Sequence, residues 1–161
     1  MLPCAILYAA GAAGRGDMAN AKYDRDFYAW VNEQAALLRA GDVSRADVEN
    51  IAEELERLGR TEKREFIGRL TALLLLLLKA GFLPRRRSPS WKSAISSARG
   101  QLLEHLEDNP SLKEKLPEAI AAAFRNARRS AVDEAGPDDA AFPVTCPWSF
   151  ERMVDEKFWP D

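Results

Sequence analysis

From Asp26 onward, apolar residues recur at the three- and four-residue spacing of amphipathic helices. Phe27, Trp30, Val31, Leu37 and Leu38 form a first stripe, which Gly41 ends as a left-handed cap. Ser44 is an N-cap type for a second helix, with Val48, Ile51, Ala52, Leu55 and Leu58 on one face and Gly59 closing it. Thr61 opens a third helix, amphipathic through Phe66, Leu70 and Leu73. From Leu73 that helix is apolar all round, so its second half is the expected hub, with Leu74 and Leu77 fully buried. Gly81 and Pro84 stop it.

Ser88-Pro89-Ser90 supplies cap and first-turn residues for a fourth helix, striped by Trp91, Ile95, Ala98, Leu102 and Leu106. After Asn109-Pro110-Ser111 a fifth helix carries Leu116, Ile120, Ala123, Phe124 and Ala127, and Gly136-Pro137 breaks it. Ser149 caps a short last helix with Phe150, Met153 and Val154. No segment alternates with period two among β-branched residues, so no sheet is expected. The pattern predicts an all-α, single-domain five- or six-helix bundle with a central apolar helix, over residues 21–161. Residues 1–20 carry no burial pattern and read as a leader or an over-extended start before Met18.

Blocks of sequence resemble one bacterial family. They are Tyr23 to Trp30, Ile51 to Gly59, Arg86-Arg87-Ser88 with Ser90-Trp91, Asn109 to Leu112, and Cys146 to Phe150 followed by Phe158-Trp159-Pro160. In these blocks and their order the chain resembles the DUF29 family. The resemblance implies a helical fold and brings no catalytic residues with it.

The six leucines from Leu73 to Leu78 are not a membrane span. Arg69 and Lys79 bracket nine uncharged residues, where a span needs about 20. Among 161 residues 47% are hydrophobic and 30% charged, with a net charge of −2, the balance of a globular chain with no global pull on nucleic acid. Cys4 and Cys146 are too few for a disulfide framework and have no zinc spacing, so free thiols and a cytoplasmic location are expected, a single bridge between them being the alternative.

Charge comes in blocks. Asp42 to Leu58 holds six acids against Arg45 and Arg57, and Lys79 to Arg99 holds six bases and no acid. One reading of the basic block is a nucleic-acid patch of Arg85, Arg86, Arg87 and Lys92, with Trp91 available for stacking. The other is a polar cluster of Glu53, Glu54, Arg86, Arg87 and Trp91, in which a guanidinium turns inward onto a carboxylate and fixes a loop. A third, a metal-dependent hydrolase on helix carboxylates, needs Asp24 or Asp26 brought to Glu54, because hard cations demand several oxygens. His105, the one histidine, lies on the apolar face of the fourth helix and reads as a core-edge residue with one hydrogen bond. With no cofactor motif and no metal-ligand spacing, the favoured function is a non-enzymatic interaction module. Its partner is another protein or a second copy, with a nucleic-acid-associated regulator as the alternative and no membrane role.

Overall fold

The computed structural model describes residues 22–83, 90–135 and 142–160, and every regular element among them is helical. The chain divides into two compact units, with the boundary between Gly59 and Arg60.

In the first unit, a helical turn at residues 22–25 leads into α1 (Phe27–Arg39). Asp26 caps α1, its carboxylate accepting from the Ala29 amide at 3.0 Å. Gly41 then turns the chain with φ 73°, the left-handed conformation expected of it. Ser44 does not cap the next helix. It lies in a 3₁₀ turn (Val43–Arg45), and Asp47 takes the capping role, accepting from the Asn50 amide at 3.4 Å.

The helix that follows, α2 (Val48–Phe82), is 35 residues long and runs through both Gly59 and Thr61. The expected break at Gly59 is therefore corrected. An interior glycine costs about 1 kcal/mol relative to alanine, too little to end a helix whose neighbours are Leu, Glu, Arg and Lys with no proline. Ion pairs one turn apart, Arg57–Glu54 and Arg69–Glu65, support the helix on either side of that glycine.

The second unit holds the core. Phe66, Leu70, Leu73, Leu74, Leu77 and Leu78 on α2 are fully buried, so the leucine run is the hub its composition predicts. Around it stand α3 (Ser90–Asp108), a 3₁₀ turn (Pro110–Lys115), α4 (Leu116–Ala135) and α5 (Phe150–Val154). Lys63 pairs with Glu118 and Lys79 with Glu134, the same separation of 55 residues, so α2 and α4 run parallel in constant register. His105 of α3 meets Glu62 while Trp91 lies under Lys79, so α3 runs antiparallel to α2. α4 presents Ala119, Ala123, Ala127 and Ala131 to the core, and these small side chains let it approach closely.

Gly81 does not stop α2, which continues to Phe82. The glycine serves a close approach instead. A Cβ there would stand 3.2 Å from Cβ of Pro160 and 3.9 Å from the Trp148 ring. Pro84 and Ser88-Pro89, the other expected stop and restart, lie outside the described residues, as do Cys4 and residues 1–20. Among the described residues no helix is long and apolar enough to cross a membrane.

Candidate functional site

The first unit is a hairpin of α1 and the start of α2, held by polar bonds. Trp30 donates its indole N–H to Asp47 (3.2 Å), and the Asp47 amide donates to the Gln34 side chain (2.8 Å). Tyr23 donates its hydroxyl to Glu54 (2.6 Å), and Arg57 bonds the same carboxylate oxygen (2.8 Å). Early residues thus pair with late ones, so the two helices are antiparallel. The Tyr23 bond holds the Glu54 carboxyl below the ordinary carboxylate range; desolvation opposes this and Arg57 reinforces it. The same bond raises the Tyr23 phenol, with desolvation adding to it. Tyr23, Phe27 and Trp30 form an aromatic cluster, with centroids 4.9–5.8 Å apart.

What the hairpin leaves outside is unusual. Its buried residues are Trp30 and Gln34 alone, among the described residues. Val48 (54% exposed), Leu55 (63%) and Leu58 (61%), expected to face inward, are exposed, and Phe27, Val31 and Leu38 are at least one-third exposed. The stripe on α2 is real, but Asn50, Ile51 and Glu54 take the inward side, because Asp47 and Glu54 are drawn to Trp30 and Tyr23.

Of the expected polar cluster, Glu53, Glu54 and Trp91 are among the described residues. Glu53 is solvent-exposed, Glu54 is engaged by Tyr23 and Arg57, and Arg85, Arg86 and Arg87 lie outside the described residues. Trp91 packs partly buried against the core beneath Lys79, and Lys92 extends over the Trp159 ring at 5.7 Å from its centroid. Asp26 is occupied as a cap, and among the described residues no three His, Cys, Asp or Glu side chains gather as a metal ion requires. His105 is buried, stacked on Phe66, with Nε2 3.3 Å from the Glu62 carbonyl oxygen.

The second unit has a polar anchor that periodicity alone passes over. Arg99, 4% exposed, donates Nε to the Met153 carbonyl (2.8 Å), Nη2 to Phe158 (2.7 Å) and Nη1 to Glu156 (3.5 Å). It satisfies carbonyls at the end of α5 and in the strap beyond it. Its signal was legible: Arg99 falls four residues after Ile95 and three before Leu102, in phase with the apolar stripe. Beside it lies a crevice of about 220 Å³ lined by Lys92, Ser96, Lys157 and Trp159. Cys146 is a free, half-buried thiol whose pKa is pushed up by burial.

The strap that Arg99 holds contains Phe158 and Trp159. Trp148 meets Phe158 edge-on at 5.9 Å, and both pack on the core. The C-terminal blocks of the resemblance therefore close the second unit.

A family model described as a domain of unknown function, DUF29, matches residues 22–159. The chain belongs to the DUF29 family. Neither a curated protein nor a solved structure matches it. The DUF29 match takes in both units, the hairpin from its first helical turn and the strap through Trp159.

Proposed function

We propose that this DUF29 chain is a non-enzymatic protein-interaction module of the bacterial cytoplasm, working through the exposed apolar face of its N-terminal hairpin. The observation that carries the reading is the outward stripe of Val48, Leu55 and Leu58 on a helix that elsewhere buries its large apolar residues. Apolar residues scattered singly on a surface need no explanation, whereas a stripe at helical spacing marks a contact. Of the hairpin's charged side chains, Glu54 is engaged by Tyr23 and Arg57, and Glu33 by Lys22.

Cross-linking in cells that carry the tagged chain tests this. A discrete higher-mass species is expected, and it should vanish in Leu55→Glu/Leu58→Glu while the purified variant keeps its helix content. Identical cross-linking patterns from both chains would overturn the reading. The nucleic-acid alternative rests on Arg85, Arg86 and Arg87 with Lys92. Its test is salt-dependent retention on immobilised DNA or RNA, where the expected result is flow-through at low salt.

A further inference from the structure

We infer that the occupant of the hairpin's apolar face is a second copy of this chain, the two hairpins closing into a four-helix bundle about a two-fold axis. This deepens the interaction reading and rests on it. Three observations lead to it.

The first is geometric. Successive residues of a helix turn by about 100° about its axis. On α1 the inward side is Trp30, Gln34 and Leu37, and the exposed Phe27, Val31 and Leu38 lie roughly 70° further round in the sense of the chain. On α2 the inward side is Asn50, Ile51 and Glu54, and Val48 and Leu55 lie roughly 100° further round in that same sense. In an antiparallel pair, offsets of one rotational sense bring both stripes to one face of the hairpin. Phe27, Val31, Leu38, Val48 and Leu55 are thus one surface.

The second is the missing core. The described part of the first unit, a stretch of about 40 residues, is too short to hold itself together on a single hydrophobic core without a disulfide, a metal or association. This hairpin buries Trp30 and Gln34. Closing two hairpins face to face supplies the core that each lacks, in the up-and-down bundle geometry that short connections favour.

The third is size and charge. The exposed parts of Phe27, Val31, Leu38, Val48 and Leu55 amount to roughly 400 Å² per copy, about the apolar share of what each partner buries in a standard stable interface. Glu33 and Arg39 are the charged residues of α1, and on the α2 half of the hairpin Glu49, Glu53, Glu54, Glu56 and Arg57 lie about 90° or more round the axis from Val48 and Leu55. A two-fold interface sets a patch against itself, so an uncharged face suits it, where a face of one sign would repel its own copy.

Light scattering and sedimentation of the full chain across nanomolar to micromolar concentration test the inference, with hydrogen exchange read on the same samples. Twice the chain mass is expected, with hairpin amides losing protection on dilution. Val31→Glu/Leu55→Glu should give the single-chain mass, the dissociation constant rising about 100-fold or more, while amides of Leu70 to Leu78 stay protected. Glu53→Arg, on an exposed position outside the stripes, should remain a dimer. A dimer that survives Val31→Glu/Leu55→Glu would place the second copy elsewhere and overturn the inference. A monomer with rapidly exchanging hairpin amides would overturn it too, while leaving the face to a different protein. A monomer whose hairpin amides are as protected as the core would mean the chain covers its own face, ending both this inference and the interaction reading. If the double variant unfolds, the dilution dependence of the unsubstituted chain decides.

Discussion

Arg99 illustrates what a single buried cation does in a helical core. Burial pulls its pKa down, with Asp155 and Glu156 opposing from nearby, and the guanidinium is retained because three carbonyls need its donors. Arg99→Met keeps the apolar stem and strands those carbonyls, and should lower stability by about 2–4 kcal/mol in chemical denaturation. Arg99→Lys should recover only part of the loss, since an ammonium lacks the planar fork that reaches carbonyls on two sides. Tyr23 and Glu54 make a second residue-scale case, with a definite sign in pH. The folded Glu54 pKa is depressed, so its contribution is present above the ordinary value of 4.5 and is lost as pH falls through the folded value. The folded Tyr23 pKa is raised, so its contribution is present below 10.0 and is lost as pH rises through the folded value. Tyr23→Phe should therefore weaken the hairpin most at neutral pH. By residue-resolved hydrogen exchange, the gap between variant and parent should narrow as pH falls below 4.5 and through the folded Glu54 value.

At the scale of elements, α2 carries the main revision. Two helices meeting at Gly59 and one helix running through it make opposite predictions for Gly59→Ala. A capping glycine in the left-handed region would be strained by a Cβ. In the observed helix nothing lies within 4 Å of the added carbon and φ is not positive, so Gly59→Ala should stabilise by about 0.5–1 kcal/mol. A loss of that size in denaturant titration would restore the break. The same continuity explains why Ser44 was passed over as a cap. Asp47 is the last residue before Val48, and its carboxylate bonds the Asn50 amide and side chain while its own amide bonds Gln34.

For the whole molecule, the unequal distribution of core is the governing fact. Among the described residues, every member of the buried cluster, from Phe66 to Met153, lies in the second unit, while the first buries Trp30 and Gln34. A polypeptide of residues 60–161 should therefore fold with a cooperative melt. A peptide of residues 22–59 should show weak helicity that grows with concentration. Circular dichroism of the two pieces checks both expectations, and a stable, concentration-independent 22–59 hairpin would show that its polar bonds suffice.

Much of this was readable along the chain because helix formation is local. The spacing of Phe66, Leu70, Leu73 and Leu77, the glycine after Arg39, and the prolines at 110 and 117 each act within a few residues, and all-α architecture followed from them. The family blocks were equally legible, since they are strings of residue types. Periodicity also located the apolar stripe Val48, Ile51, Ala52, Leu55 and Leu58, but it carries no information on what faces a stripe. Tertiary structure decided that. Tyr23 and Trp30 drew Glu54 and Asp47 inward, leaving Val48, Leu55 and Leu58 outside, and a bond across 31 residues leaves no mark in either local segment. It likewise decided that Gly59 is helical, since a cost of about 1 kcal/mol is settled by neighbours and not by the residue. It also decided that Arg99 serves carbonyls more than 50 residues away, a choice made only when α5 and its strap arrive to need the donors.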